Sequence, residues 1–145
     1  MHYLIYVSQA ERPMSAEELA QLLNKSRARN NAAGITGLLI YKNSHSGERA
    51  NFMQLLEGDR EAVERLYRQI AEDPRHHTKI VLEEGEVPAR NFPDWSMGFR
   101  NLAPDSLAEF EGFSDLGSPA FWERARQGSC PSCLNLMKFF YDGDE

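Results

Sequence analysis

The sequence has little of what nucleic-acid-binding or membrane proteins need. Its 16 lysines and arginines are outnumbered by 22 acidic residues, and the net charge is −6. Binding to phosphates requires a clustered basic surface, but here basic and acidic residues alternate. No stretch approaches the ~20 apolar residues of a membrane span, and the N-terminus does not have the pattern of a signal peptide. These absences predict a soluble, cytoplasmic protein with neither nucleic acid nor membrane as a partner.

Cysteine is almost absent, and the only two are Cys130 and Cys133. Their Cys-Pro-Ser-Cys spacing suits a redox pair or half of a zinc site. No second cysteine pair could complete four zinc ligands, and all four histidines lie far upstream. A thioredoxin-like motif would lie between the strand and the helix of a strand–helix–strand unit, whereas this pair lies near the C-terminus. We therefore expect two cysteines without a special role.

The order of apolar patterns indicates the fold. With 145 residues, the chain is long enough to bury a hydrophobic core without stabilisation by disulfide bonds or metals. Periodicity predicts strands at 2–8, 35–41, 51–56, 79–84 and 95–99, and helices at 15–34 and 59–74. This order predicts an α+β fold, a ferredoxin-like βαββαβ unit with one extra strand, so that two helices cover one face of a five-stranded mixed sheet. We expect a domain over 1–101 and a helical extension over 102–145 that packs on the other face.

Two side-chain amides lie near the end of the first predicted helix. If Leu19 and Leu23 mark its inward stripe, Asn30 falls on that stripe and Asn31 one step around it. An amide left unpaired beside a core destabilises by roughly 1–3 kcal/mol, so both need partners. One interpretation is that they cap the helix before Gly34. The other is that they bind a ligand.

More polar groups are predicted at the same place. Tyr6 and Gln54 come from adjacent central strands, each between apolar neighbours, and Asp73 comes from the end of the second helix. Tyr6 and Gln54 could simply satisfy each other as a buried pair. With Asn31, however, a phenol, two or three amides and a carboxylate would line one slot between apolar walls. A planar heterocycle with alternating carbonyls and ring nitrogens would match these groups.

Five sequence blocks, in order, carry a family resemblance. They are Tyr6-Val7-Ser8-Gln9; Ser26 with Asn30-Asn31 and Gly34-Ile35-Thr36-Gly37-Leu38-Leu39; Phe52-Met53-Gln54-Leu55-Leu56-Glu57-Gly58; Asp73 with Arg75-His76; and Phe92 with Trp95 and Met97. Over roughly residues 1–100 the chain resembles the BLUF domain, the flavin-binding blue-light sensor. Each block alone is a weak signal, but five in register are specific.

The resemblance implies FAD held non-covalently between the two helices. It implies that Tyr6 donates a hydrogen bond to Gln54, and that Gln54 bonds the flavin. Blue light would drive electron and proton transfer from Tyr6, leave Gln54 rotated or tautomerised, and shift the absorption slightly to the red. The resemblance thus implies a photoreceptor that signals through protein contacts and is not an enzyme.

The resemblance also assigns the remaining site residues. Flavin contacts are expected at Asn31, Asn30, Asp73, Arg75 and His76. Trp95 and Met97, in the last predicted strand, would pass the signal on to a protein partner that the sequence does not identify. We also expect a homo-oligomer.

Two other functions suit the predicted fold. A ferredoxin-like hydrolase of the acylphosphatase type would use an arginine and an asparagine on a phosphate, and Arg12 and Asn31 could fill those roles. The loop after the first strand lacks the glycine-rich composition of a phosphate cradle, however. A light-independent, small-ligand regulatory domain would need neither Tyr6 nor Gln54 buried together. The colour of the purified protein separates these functions from a flavin sensor.

Overall fold

The computed structural model describes residues 1–43, 48–74, 76–94, 96–100, 118–127 and 130–142, with only the backbone described at 16, 76–78, 96–100 and 126. Its elements are β1 (His2–Ala10), α1 (Ala16–Ala32), β2 (Thr36–Asn43), β3 (Ala50–Gly58), α2 (Arg60–Ala71), β4 (His76–Glu86), β5 (Ser96–Arg100), α3 (Pro119–Arg126) and α4 (Pro131–Asp142). In the described part of the chain, none of the helices has the length and apolarity that crossing a membrane requires.

The strands lie in the order β4-β1-β3-β2-β5. β1 pairs antiparallel with both β3 and β4, β2 pairs antiparallel with β3, and β5 runs parallel to β2 at the edge. The α+β class is confirmed, and the order of the four antiparallel strands is that of a βαββαβ unit. β1 and β3 are therefore the central antiparallel pair, and side chains from these two strands can meet above the sheet.

Local sequence signals fix both ends of α1. Ser15 and Glu18 form the predicted capping box, in which the Ser15 hydroxyl accepts from the Glu18 amide at 3.1 Å and the Glu18 carboxylate accepts from the Ser15 amide at 3.1 Å. The chain leaves the helix through Gly34 with φ +69°, a conformation that glycine adopts without steric strain. The chain then enters β2 directly.

Gly37 lets β2 approach β3 closely. Its φ is +154°, and a Cβ at this position would lie 1.8 Å from the carbonyl oxygen of Leu55. No side chain fits at that distance, so the second glycine of the Gly-Ile-Thr-Gly block is a steric requirement of the strand pairing.

The sheet separates two apolar layers. The face that carries Leu4 and Tyr6, here called the helix face, is covered by α1 and α2. The opposite face, here called the C-terminal face, carries Tyr3 and Ile5 and forms one buried cluster with residues of α3 and α4: Phe121, Trp122, Ala125, Leu134 and Met137. The alternation predicted along β1 is therefore confirmed, because neighbouring residues point to opposite faces of a strand.

The cysteines depart from the expectation of two residues without a special role. Cys130 and Cys133 form a disulfide with their Cα atoms 5.3 Å apart. The physical reason is that Cys130 directly precedes α4 and Cys133 lies in its first turn, which brings the two side chains together.

Candidate functional site

Tyr6 and Gln54 form a buried hydrogen-bonded pair on the helix face. They lie directly opposite each other in the β1–β3 register. The Tyr6 hydroxyl donates to Oε1 of Gln54 at 2.6 Å, and each residue is only 3% exposed. The prediction that a phenol and an amide meet between these central strands is confirmed.

The surroundings of Tyr6 keep its phenol neutral. Burial is the largest cause, and it raises the pKa of Tyr6 well above its usual value. The positive charge of Arg29 opposes this rise, while Tyr67 and Asp73 add to it. The ring of Tyr67 also packs against that of Tyr6, with 5.4 Å between centroids. Because the phenol keeps its proton, Tyr6 acts as a donor toward Gln54.

A cavity opens beside this pair, between α1 and α2. It is lined by Tyr6, Leu22, Ser26, Arg29, Leu39, Phe52, Gln54, Ile70 and Asp73. Leucine, isoleucine and phenylalanine form apolar walls, while an amide, a hydroxyl, a guanidinium and a carboxylate supply donors and acceptors. This combination suits a planar heteroaromatic ring that carries both carbonyls and ring nitrogens.

The cavity is narrow in this conformation. Its volume is about 40 Å³. The chemistry of the lining fits the edge of a flavin ring.

The two asparagines at the end of α1 do not behave alike. Asn30 is fully buried, as predicted from its position on the inward stripe. Asn31 is exposed, so the expectation that it too lies beside the core is wrong. The reason is helix geometry, since one residue turns the side chain by about 100°. Through its backbone carbonyl, Asn30 also accepts hydrogen bonds from the amides of Ala33 and Ile35, at 3.1 Å and 2.8 Å, at the end of the helix.

The other predicted site residues divide into three groups. Asp73 is half-buried and lines the cavity, as expected. Arg75 and Trp95 lie outside the described residues. His76 begins β4 and Met97 lies in β5, and for both only the backbone position is described.

No separate role was predicted for Ser26 and Arg29, which line the cavity from α1. The available signal was their spacing, because residues three apart share one side of a helix. An arginine on the same side as an inward serine, near the end of a helix, indicates a polar site beside the core.

A buried carboxylate on β3 was also not predicted from the sequence. Glu57 is fully buried and accepts three hydrogen bonds: from the amide and Nδ2 of Asn91 at 2.7 Å and 3.0 Å, and from the amide of Phe92 at 2.9 Å. Arg90 donates to the carbonyl oxygens of Glu57 and Gly34, at 3.0 Å and 2.8 Å. The connection between β4 and β5 is thus fixed to the strand that carries Gln54. The sequence signal for this buried carboxylate was a glutamate that directly follows the apolar residues of a strand.

Comparison with known proteins gives one family. The model of the BLUF family, described as sensors of blue light using FAD, matches residues 1–98. Subunit beta of the photoactivated adenylate cyclase of Euglena longa is 33% identical over 114 residues, which are 78% of this chain and 12% of that protein. The blue light- and temperature-regulated antirepressor BluF of Escherichia coli K12 is 35% identical over 89 residues, 61% of this chain and 21% of that protein. The chain thus matches only a small part of these relatives.

Solved structures agree with that family. The dark-state structure of BlrB, a BLUF protein, matches with a TM-score of 0.60 and 33% identity, over 76% of this chain and 77% of that one. Klebsiella pneumoniae BlrP1 with FMN and cyclic diGMP matches with a TM-score of 0.67 and 27% identity, over 97% of this chain and 34% of that one. The ground state of BlsA is 22% identical with a TM-score of 0.64, covers 99% of this chain and 89% of that one, and shows a shared fold.

Proposed function

Since this chain belongs to the BLUF family, we propose that it is a flavin-dependent sensor of blue light, that it binds FAD between α1 and α2, and that the Tyr6–Gln54 pair carries its photochemistry. The observation that supports this is the buried 2.6 Å hydrogen bond from Tyr6 to Gln54 at the wall of the slot. The family description supports FAD. Because the structure of one relative contains FMN, the identity of the bound flavin should be measured.

Residues of the slot would hold the flavin through different interactions. Leu22, Leu39 and Ile70 supply apolar contacts for its ring faces, and Gln54 and Asp73 supply polar atoms at its edge. We also retain the family positions Asn31, Asn30, Arg75 and His76 as proposed flavin contacts, and Trp95 and Met97 as proposed signal-relay positions.

Bound FAD supplies blue-light absorption and an electron acceptor. Tyr6 is placed to act as the electron donor, because it is buried and neutral. A phenol that loses an electron becomes strongly acidic, and the bond to Oε1 of Gln54 gives its proton a direct path. Rotation or tautomerisation of the Gln54 amide then exchanges its donor and acceptor positions. In a buried site, reversing one amide changes the local energy by about 1–3 kcal/mol, enough to bias a two-state element.

The test uses purified protein reconstituted with FAD and a difference spectrum between illuminated and dark samples. We expect wild type to show a small red shift that reverses in the dark. Tyr6→Phe and Gln54→Leu should both bind FAD and lose the shift. Tyr67→Phe is the matched control, because it removes a hydroxyl from the ring packed on Tyr6 and leaves the Tyr6–Gln54 bond in place. A normal light response in either Tyr6→Phe or Gln54→Leu would refute the assigned roles.

We further propose that output is carried by protein contacts and that these residues catalyse no reaction. Residues 1–101 would form the flavin domain and 102–145 an extension, and the packing of α3 and α4 on the C-terminal face supports this division. A cytoplasmic homo-oligomer that binds a downstream protein suits such a sensor. Light-dependent co-elution with a candidate partner, absent in Gln54→Leu, is the direct measurement.

A further inference from the structure

The disulfide lies at the start of a helix. Cys130 directly precedes α4, and its carbonyl accepts hydrogen bonds from the amides of Cys133 and Leu134 at 3.1 Å and 3.3 Å. Pro131 is the first residue of the helix. Because a helix N-terminus stabilises negative charge, it favours the thiolate form of cysteines placed there when the sulfur–sulfur bond opens. Thiolates are the reactive species in thiol–disulfide exchange.

A carboxylate lies beside the inner sulfur. Oε2 of Glu83 is 3.5 Å from Sγ of Cys133, and it accepts a hydrogen bond from the Tyr3 hydroxyl at 2.9 Å. Cys133 is completely buried, whereas Cys130 keeps 5% of its surface exposed. The two sulfurs are therefore not equivalent, because both residues are buried, Cys130 slightly less completely, and it is the sulfur of Cys133 that lies beside the Glu83 carboxylate.

The cysteine pair is also linked to both strands of the photochemical site. The amide of Cys130 donates to Oδ1 of Asn91 at 3.0 Å, and Asn91 donates in turn to Glu57 on β3. On the other side, Glu83 bonds Tyr3 on β1. Glu57 lies three residues after Gln54, and Tyr3 lies three residues before Tyr6. A change at the start of α4 thus reaches, through hydrogen bonds, the strands that hold the Tyr6–Gln54 pair.

We propose that Cys130 and Cys133 form a reversible thiol–disulfide redox site whose state adjusts the light cycle of this sensor. The reductant is a dithiol. Its thiolate attacks Sγ of Cys130, the sulfur–sulfur bond breaks with its electron pair passing to Cys133, and a mixed disulfide forms. The second thiol of the reductant displaces Cys130 and closes the reductant's own disulfide. The protein gains two electrons and two protons, and in the oxidising direction Glu83 accepts the proton of Cys133.

The coupling to light depends on the flavin function proposed above, whereas the redox chemistry does not. Reduction frees the start of α4 and loosens the contacts through Asn91 and Glu83. A change equivalent to one hydrogen bond near the transition state of dark recovery alters its rate by roughly twofold to tenfold. We expect the reduced and oxidised proteins to recover at rates that differ by this factor.

The redox site is tested on the native wild-type chain in buffers of reduced and oxidised dithiothreitol. Free thiols are trapped by alkylation and counted by mass. We expect two thiols to appear together, reversibly, with the fold retained as judged by circular dichroism. Cysteines that react only after unfolding, or that stay reduced in every buffer, would overturn the proposal. So would reduced protein that binds one Zn²⁺ through both cysteines and can then no longer be oxidised.

Variants distinguish proton transfer by Glu83, and coupling of the cysteine redox state to the light cycle, from a purely structural role of these residues. Glu83→Gln should flatten the pH dependence of reoxidation, while Glu84→Gln should not, because Glu84 is the next residue of β4 and its carboxylate binds His2 of β1. In the double variant Cys130→Ser, Cys133→Ser, dark recovery should be the same in both redox buffers. If the wild-type thiols exchange but the protein shows no light response, the flavin function fails and the redox site stands. Equal recovery rates in oxidised and reduced wild type would refute the coupling.

Discussion

The Tyr6–Gln54 bond allows a quantitative test on the protein without flavin. Tyr6→Phe removes the hydroxyl that donates to Gln54 and leaves Oε1 in a site where the residue is 3% exposed. A buried acceptor that loses its partner lowers the free energy of unfolding by about 1–3 kcal/mol. Gln54→Leu should lower the free energy of unfolding by a similar amount, because it removes the acceptor of the hydrogen bond from the Tyr6 hydroxyl.

The double variant Tyr6→Phe, Gln54→Leu distinguishes this pair from two independent sites. Replacing both partners with apolar groups leaves neither the donor nor the acceptor of this hydrogen bond unpaired. The decrease in the free energy of unfolding of the double variant should therefore be smaller than the sum of the two single decreases by about 1–2 kcal/mol. Urea unfolding followed by circular dichroism measures all four free energies. Independent sites add within roughly 0.3–0.5 kcal/mol. Additivity within that margin would refute the view that the hydrogen bond couples the two strands.

Two further predictions concern the frame around the site. Gly37→Ala would place a Cβ 1.8 Å from the carbonyl of Leu55, whereas Gly34→Ala meets no atom within 4 Å. In urea unfolding, Gly34→Ala should therefore lower the free energy of unfolding by about 1–2 kcal/mol from backbone strain alone, and Gly37→Ala should lower it by clearly more. Equal losses in the two variants would contradict the close approach of β2 to β3 at Gly37. Arg12, and next the backbone amide of Ser15, lower the pKa of Glu18 from 4.5 to about 2. Because this pKa is depressed in the folded protein, its contribution to stability is complete above pH 4.5 and is lost as the pH falls toward 2. Glu18→Gln should reduce that acid dependence in unfolding curves between pH 5 and 2, and Glu17→Gln, which removes a neighbouring charge and keeps the capping box, should retain it.

Sequence alone determined which side chains share a face of an element. Alternation in β1 placed Tyr6 with Leu4, and alternation in β3 placed Gln54 between Phe52 and Leu56 on one face. The capping box of α1 was equally predictable, because its two residues are close together in the sequence. These predictions succeeded because the periods of strands and helices are properties of neighbouring residues.

Tertiary structure decided which groups touch. The β1–β3 register sets Tyr6 opposite Gln54, and a shift by one residue would turn either side chain to the opposite face. Periodicity placed Asn30 on the inward stripe of α1 and Asn31 one step around it, but only the packing of α1 on the sheet decides how wide the buried stripe is, and it buries Asn30 while leaving Asn31 exposed. Glu83 reaches Cys133 across fifty residues of sequence because α4 packs on the C-terminal face. Such contacts depend on the packing of whole elements, which no short stretch of sequence specifies.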